Sequence, residues 1–431
     1  MSAFNIIPYL IVFFGSINLL RMATFIVGSD LYSLQRDLKR KGGTRRRRYY
    51  AYSVVVPAHN EESTILRNLR SVVNSNYPKD KLQIIVVDDG STDKTYEIVK
   101  QYKTKNRIDN LTLVKQKNSG KANALNNAIK NFATGKLIMC LDADSYLERN
   151  ALINCTEYFR DRKVKAVASN VKIIKNDGLL NLLQRYEYII CYQMKRAQTV
   201  FNIEYIIGGI GSVFRRSALE RANYYDGNTV TEDIDLTMKI LNRGNRKNKV
   251  IYGSDVIAHT ESVINVKGLI KQRCRWKWGR CQTFLKNKSI FFNGDSRFTK
   301  GLTFLYLPFA IFSDIAYLFE PVMLLYILYV SFVYANPLAI LSALVVITFY
   351  MSINVLLEET LDNKERVFYL LVAPAMYFYF YILSFVEYVA LTKALVRINK
   401  LKGSIDGNIC NWQHVERSKM RLSTIPVSQK D

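Results

Sequence analysis

The sequence has little of what metal-centre and redox proteins need. It contains three histidines and six cysteines among 431 residues, and no two cysteines form a C-x-x-C pair. This composition argues against a zinc site and is typical of reduced cytosolic thiols. The chain also lacks G-x-G-x-x-G and G-x-x-x-x-G-K-S/T, which argues against dinucleotide-binding and P-loop folds.

Acidic residues are scarce compared with basic ones. There are 36 Asp and Glu against 61 Lys and Arg, which gives a formal net charge of +25. Such a surplus suits nucleic acid, anionic lipid or a phosphorylated substrate, and charge alone does not choose among them. The mean hydropathy is close to zero because strongly apolar ends average with a charged middle.

The first apolar segment is long enough to span a bilayer. Residues 4–28, about 25 in number, carry one charge, Arg21. A signal peptide would be shorter and would end at small residues, so residues 1–28 are predicted to form a transmembrane helix. Residues 29–50 form a basic linker, which the positive-inside rule places in the cytoplasm together with the domain that follows.

Three further apolar stretches, 304–334, 338–357 and 367–395, predict transmembrane helices within residues 301–396. Charges and a proline interrupt the first stretch, which could therefore lie partly along the membrane interface. Three crossings would put the tail, residues 397–431, outside the cell. Basic residues near the tail favour the inside, and the sequence leaves this conflict open: they are Lys393, Arg397, Lys400 and Lys402.

Residues 51–260 alternate between strand-like and helix-like patterns. Apolar runs at 53–56, 83–87 and 137–141 predict buried strands. After Ser63, which is predicted to cap a helix, apolar residues follow helical spacing. The alternation predicts an α/β domain with a parallel sheet covered on both faces. Ligands of such sheets bind beyond the carboxyl ends of the strands, where the acidic residues of this chain occur.

Two acidic motifs follow predicted strands. Asp142 and Asp144 stand directly after residues 137–141, and oxygen ligands of this kind hold Mg²⁺ or Mn²⁺ together with substrate phosphates. A solvated turn is the alternative. Asp89, followed by Gly90, could accept a hydrogen bond from a nucleoside N–H or hydroxyl. The alternative is an ordinary Asp-Gly turn.

A third acidic group, Glu232 with Asp233, is distant in sequence from the first two. In a group-transfer reaction, a general base must lie near the hydroxyl that accepts the group. It must also lie apart from the residues that hold the leaving group, and a separate carboxylate meets this need. Thr231 is also predicted to cap a helix that the acidic residues stabilise through its dipole, and both interpretations can hold together.

Residues 261–300 are predicted to form amphipathic interface helices. On a helix, Gln272, Arg275, Trp276 and residue 279 share one face. Arginine can clamp a diphosphate with two hydrogen bonds, and an indole ring can support a sugar. The alternative is a membrane-surface helix with snorkelling cations.

In combination these motifs resemble the processive family 2 glycosyltransferases, which include cellulose, chitin, hyaluronan and poly-N-acetylglucosamine synthases. The ordered elements are V-V-V-P-A-H-N-E-E, V-V-D-D-G-S-T-D, N-S-G-K-A-N-A-L-N, C-L-D-A-D-S, T-E-D-I-D-L and Q-R-C-R-W. The resemblance implies an α/β GT-A domain flanked by transmembrane helices. It is strongest to the bacterial poly-β-1,6-N-acetylglucosamine synthases.

The resemblance also implies roles for individual residues. Asp233, with Glu232 beside it, would be the catalytic base, and Asp142 and Asp144 would hold the metal and diphosphate. The remaining positions would bind the donor or the acceptor: His59, Glu61, Asp89, Lys121, Asp142, Gly209, Gln272, Arg275 and Trp276.

The expected function is processive, inverting transfer of sugar from a UDP-sugar to a growing polysaccharide. The preferred donor is UDP-N-acetylglucosamine. The protein is expected to be a multi-pass cell-membrane protein that also exports the product. Alternatives are a hyaluronan-, chitin- or glucan-type synthase and a non-processive polyprenyl-phosphate sugar transferase. Expected partners are the UDP-sugar donor, the polysaccharide acceptor and the lipid bilayer. They could include a small membrane accessory subunit, and nucleic acid is not expected among them.

Overall fold

The structure is a computed structural model, and it describes residues 6–41, 48–335 and 337–396. These divide into two compact units. The sheet unit comprises residues 48–181 and 205–287, and the helical unit comprises residues 6–41, 182–204 and 288–396.

The sheet unit is organised around eight strands in the order β3-β2-β1-β4-β7-β6-β8-β5. Most strands are short runs of buried β-branched residues, as the apolar patterns predict. Their bounds are β1 Tyr52–Ala58, β2 Leu82–Asp89, β3 Leu111–Gln116, β4 Leu137–Cys140, β5 Tyr146–Leu147, β6 Val164–Ile173, β7 Ser212–Arg215 and β8 Lys249–Thr260.

Twelve α-helices occur in the described residues. They are α1 Ile7–Lys41, α2 Ile65–Val73, α3 Thr95–Lys105, α4 Lys121–Asn127, α5 Ala151–Tyr158, α6 Leu179–Phe201, α7 Arg216–Ala222, α8 Glu232–Asn242, α9 Val266–Lys286, α10 Leu307–Val333, α11 Leu338–Leu356 and α12 Asn363–Val396. A π-helical segment, Ala128–Phe132, extends α4, and another, Gly301–Tyr306, precedes α10.

The sheet is mixed, whereas the sequence predicted a parallel one. Strands β1, β2, β3 and β4 are mutually parallel, but β7 pairs antiparallel with both β4 and β6. The reason is where the chain enters: Ser212, the first residue of β7, pairs with Cys140, the last residue of β4. The segment before β7 therefore lies at the edge where β1, β2 and β4 end, which we call the C-terminal edge.

Two predicted helix caps differ from the structure. Helix α2 begins at Ile65, with Thr64 rather than Ser63 at its N-cap; the Thr64 hydroxyl donates to Glu61 Oε2 at 2.7 Å and makes no capping bond. Thr231 does occupy the N-cap of α8, but its hydroxyl oxygen is buried without a hydrogen-bond partner. It packs against α9 instead.

The helical unit contains three segments that are long and apolar enough to cross a membrane: Ile7–Leu38, Gly301–Val333 and Asn363–Val396. A shorter apolar helix covers Ile340–Leu356. The first helix thus extends beyond the predicted residues 4–28. Helix α10 remains continuous through its internal proline, Pro321.

Neighbouring helices of this unit run in opposite directions. The guanidinium of Arg21 in α1 lies 5.9 Å from the ring centre of Phe309, and Phe312, one turn further along α10, stacks 5.6 Å from Phe14. Moving forward along α10 therefore means moving backward along α1, so the two helices are antiparallel.

The connection between α11 and α12 lies at the C-terminal end of α1. Glu359 in this connection pairs with Arg36 of α1 at 2.6 Å and with Arg196 of α6 at 3.1 Å, and Ser33 donates to it at 2.9 Å. Arg196 is only 1% exposed, so this buried cation depends on its carboxylate partner. Helix α12 thus begins on the side of the unit where α1 ends.

Candidate active site

A lysine and three carboxylates from distant parts of the sequence meet at the C-terminal edge. Lys121 Nζ lies 2.6 Å from Asp142 Oδ1 and 3.4 Å from Glu232 Oε1. A methyl group added at Gly209 would lie 3.0 Å from Lys121 Nζ, 3.8 Å from Asp142 Oδ1 and 3.9 Å from Asp233 Oδ2. We call Lys121, Asp142, Glu232 and Asp233 the catalytic-edge cluster; Gly209 gives it room.

Each member of the cluster is placed by a different element. Lys121 is the first residue of α4, Asp142 follows β4, and Glu232 and Asp233 open α8. Gly209 belongs to the segment that enters the sheet at β7. Because parallel strands end at one edge, short loops bring these residues together although up to about a hundred positions separate them in the chain.

The electrostatics of the cluster favour a charged lysine and a basic carboxylate. Burial and the charge of Glu232 together raise the pKa of Asp233 to about 6, against the opposing effect of Lys121. Burial alone would lower the pKa of Lys121, but Asp142 and Glu232 overcome this and raise it. Near neutral pH, Asp233 can therefore accept a proton while Lys121 stays cationic.

Asp89 stabilises a loop of the protein through intramolecular hydrogen bonds. Its carboxylate accepts hydrogen bonds from the backbone N–H of Ser119 at 2.9 Å and of Gly120 at 2.9 Å, and from Gln116 Nε2 at 2.8 Å. The residue is 4% exposed. Asp89 thus fixes the turn that immediately precedes Lys121, where Gly120 adopts a φ of +89°.

His59 and Glu61 lie in the loop between β1 and α2, at the same edge. Nδ1 of His59 is 2.8 Å from the backbone oxygen of Asp89, and the side chain is half-buried. The backbone N–H of Glu61 donates to Thr95 Oγ1 at 2.8 Å. These bonds join the ends of β1 and β2, beside the turn that Asp89 holds.

The residues after β4 suit a hard cation by their chemistry. Asp142 retains partial exposure next to Lys121, and Asp144 is buried with its Oδ1 accepting from Ser145 Oγ at 2.9 Å. Among the described residues, no group of three or more His, Cys, Asp and Glu side chains could hold a metal. Magnesium is commonly bound by one or two carboxylates plus substrate phosphates, so this pair fits a cation that arrives with a diphosphate.

Helix α9 contacts the start of α8 at Gly279 and Gln282. A methyl group at Gly279 would lie 2.4 Å from both Thr231 Oγ1 and Thr231 Cγ2, so only glycine allows this approach. One turn further, Gln282 accepts from Val230 N at 3.1 Å and donates to Asn228 O at 2.8 Å. This contact holds the residues just before Glu232.

Gln272, Arg275 and Trp276 lie on the same face of α9, N-terminal to Gly279. Within the described part of the chain, no hydrogen bond or ion pair joins them to the catalytic-edge cluster. Arg275 Nε is buried without a hydrogen-bond partner. Trp276 stacks with Arg273, whose guanidinium lies 4.5 Å from the indole.

The comparison with known proteins accords with this geometry. Residues 53–222 match the family model of glycosyl transferase family 2. The matched residues run from β1 to α7. The chain is 32% identical to poly-β-1,6-N-acetyl-D-glucosamine synthase of Staphylococcus aureus strain COL over 271 residues, 61% of this chain and 63% of that protein. It is 32% identical to the Staphylococcus epidermidis synthase of the same name over 237 residues, 54% of this chain and 56% of that one.

These relatives confirm the resemblance to poly-N-acetylglucosamine synthases, although the matched region spans less than two thirds of their length. Among solved structures, a mannosyltransferase from Pyrobaculum calidifontis in complex with GDP-Man and Mn²⁺ aligns with a TM-score of 0.55 and 22% identity. The alignment covers 89% of this chain and 97% of the mannosyltransferase. The expected GT-A architecture is thereby confirmed.

Sequence reasoning did not single out Arg67 and Asn68 of α2. Both are buried, and both donate to the backbone of residues 142–145. Their sequence signal is visible in retrospect: two polar residues interrupt the apolar face of a short amphipathic helix.

Proposed function

We propose that this protein is a membrane-embedded inverting glycosyltransferase that extends a β-linked polysaccharide from a UDP-sugar. UDP-N-acetylglucosamine and a β-1,6-linked product are the first choice, because the synthases to which the chain is 32% identical carry that name. The observation that carries the proposal is the catalytic-edge cluster. It sets a carboxylate with a pKa of about 6 beside a lysine and the acidic loop of a family 2 domain.

In the proposed reaction, Asp233 removes the proton from the acceptor hydroxyl. The hydroxyl oxygen forms a bond to the anomeric carbon while the bond from that carbon to the diphosphate oxygen breaks, which inverts the configuration and releases UDP. Lys121 and Arg275 supply positive charge to the departing diphosphate. Glu232 keeps Lys121 in place and raises the basicity of Asp233.

A divalent cation, Mg²⁺ or Mn²⁺, would be held by Asp142 and Asp144 and would act as a Lewis acid on the diphosphate. The mannosyltransferase with GDP-Man and Mn²⁺ has the same fold and supports this assignment. His59 and Glu61, together with the turn held by Asp89, would bind the nucleoside, and Gln272, Trp276 and Gly209 would line the acceptor end.

The helical unit supports the proposed membrane location and export. Its long apolar helices suit a bilayer. Polar contacts occur between them, since Ser384 of α12 donates to Glu320 of α10 at 3.3 Å. Ionisable residues within membrane helices commonly mark substrate paths, so these two are the first candidates to contact the exported chain. A small accessory subunit remains a prediction.

The decisive experiment supplies purified full-length protein with radiolabelled UDP-N-acetylglucosamine and Mg²⁺. Long products that a β-1,6-specific hydrolase degrades would support the proposal, and Asp233→Asn should abolish them. Products of single additions would contradict processivity. A lipid-linked monosaccharide would instead identify a polyprenyl-phosphate sugar transferase. Another labelled UDP-sugar as the sole substrate would identify a different polysaccharide.

The helix directions also support a specific topology. With the sheet unit in the cytoplasm, α1 ends inside, α10 leaves, α11 returns and α12 leaves again. The tail would then lie outside, against the expectation from its basic residues. A single cysteine introduced after residue 396 in a cysteine-free variant should react with a membrane-impermeant maleimide in intact cells; labelling only after lysis would contradict this topology.

A further inference from the structure

Helix α2 buries two polar side chains that the catalytic-edge cluster does not include. Arg67 is 7% exposed and Asn68 is fully buried, although both stand on a helix whose buried face is otherwise formed by Ile65, Leu69 and Val72. Burying an amide and a guanidinium is unfavourable unless their hydrogen bonds are replaced. The partners that they find are therefore informative.

Both side chains donate to the backbone of the acidic loop, residues 142–145. Asn68 Nδ2 lies 2.9 Å from the backbone oxygen of Asp142 and 2.8 Å from that of Ser145. Arg67 donates to the backbone oxygen of Asp144 at 3.0 Å. Three main-chain oxygens of a four-residue loop are thus held from one helix, while the carboxylates of Asp142 and Asp144 are used elsewhere.

Arg67 is itself held on two sides. Its guanidinium forms an ion pair at 2.6 Å with Glu261, which is 4% exposed and directly follows β8. It also lies 5.4 Å from the ring centre of Tyr146. A buried ion pair adds little to stability compared with apolar packing, but it fixes orientation strongly. The arrangement is therefore suited to hold a loop in one conformation.

We propose that Arg67 and Asn68 are positioning residues that fix the acidic loop so that Asp142 and Asp144 meet the donor diphosphate. This inference rests on the proposed function. Asn68 bonds to main-chain oxygens of the loop, and Arg67 bonds to one such oxygen and to Glu261, so both act on the geometry of the loop. A displacement of reacting groups by about 1 Å can cost a hundredfold in rate, so loss of this support should be visible in donor binding.

The competing explanation is that the pair merely stabilises the fold. Asn170 offers a matched control, because it is 3% exposed in the same unit and donates to a backbone oxygen, that of Ser254 at 2.9 Å, away from the acidic loop. Asn68→Ala and Asn170→Ala each remove a buried amide that donates to main-chain oxygen. A purely structural role would give both variants the same properties.

The test compares wild type, Asn68→Ala and Asn170→Ala as full-length proteins in detergent. Three quantities are measured: the melting temperature, the Kd for UDP by calorimetry with Mg²⁺ present, and the kinetics of sugar transfer. We expect similar melting temperatures in the two variants. Only Asn68→Ala should weaken UDP binding, by about tenfold, and lower kcat/KM for the donor by about a hundredfold.

Equal UDP affinity and equal kcat/KM in the two variants would overturn the inference while leaving the proposed function intact. Weakened UDP binding in Asn68→Ala, in a protein that transfers no sugar, would support the inference and refute the proposed function. A wild-type protein that does not bind UDP would refute both. If Asn68→Ala does not fold, Asn68→Ser and Arg67→Lys take its place. Each of these variants retains some of the hydrogen-bond donors, so UDP binding should weaken less than in Asn68→Ala.

Discussion

Replacement of Asp233 by asparagine should abolish sugar transfer and at the same time stabilise the folded protein at neutral pH. Both effects arise from the buried position of this carboxylate next to Glu232, which raises its pKa from 3.8 to about 6. Asparagine preserves the shape of the side chain and can still accept from the backbone N–H of Ile234, which lies 2.9 Å from Asp233 Oδ1. The substitution thus removes the charge with little other change.

The magnitude and its pH dependence follow from linkage. A carboxyl group whose folded pKa is raised binds its proton more tightly in the folded state, so wild-type stability decreases as the pH rises from about 4 to about 7. The full difference between 3.8 and about 6 corresponds to about 3 kcal/mol. Because Asp233 keeps some solvent exposure, which screens the charge, we expect Asp233→Asn to be about 2 kcal/mol more stable at pH 7.5.

The assay is thermal unfolding of both proteins from pH 4 to 8. The variant should melt about 4–8 °C above wild type at pH 7.5, and the difference should disappear near pH 4. Wild-type transfer activity should increase with pH through about 6, since only the deprotonated base is active. A constant melting difference across this range, or residual transfer by the variant, would refute the reasoning.

Three further substitutions test the surrounding structure. Gly279→Ala should stop transfer because the new methyl group would lie 2.4 Å from Thr231 atoms, and Thr231→Ala in the same protein should restore part of the activity measured in membranes. Asp89→Asn should cost about 1–3 kcal/mol of stability, measured by melting, and should raise the donor KM, because a carboxylate oxygen that accepts from Gly120 is replaced by an amide nitrogen. Lys121→Met should lower kcat by at least about a hundredfold at saturating donor, because removal of one stabilising charge at a leaving group commonly lowers the rate by this factor. UDP affinity should also fall. An unchanged kcat would show that Lys121 has no part in the mechanism.

The elements that sequence patterns predicted correctly share a local cause. The strands at 53–56, 83–87 and 137–141 are runs of buried apolar residues, and the helical face of α2 follows 3.6-residue spacing, so neighbouring residues alone define them. The Ser63 cap was wrong by one position, because Thr64 occupies the N-cap of α2. The antiparallel β7 was missed because its direction depends on where the preceding loop lies.

Among the candidate site residues, too, local patterns predicted some features and tertiary contacts decided others. Motif order identified Lys121, Asp142, Glu232 and Asp233, and the structure brings these four together. Local patterns did not reveal that Asp89 holds the loop before Lys121. Its bonds come from residues about thirty positions away, and no local pattern specifies them.

By itself, the amino-acid order determined the membrane-length helices, the strands at 53–56, 83–87 and 137–141 and the resemblance to family 2 glycosyltransferases, because each depends on periodicity or on short motifs. Only the tertiary structure decided which charged groups meet. The pKa of Asp233, the support of the acidic loop by α2 and the approach of α9 at Gly279 all depend on distances between segments far apart in the chain. Electrostatic energies fall as those distances grow and rise with burial, and only the folded state sets both.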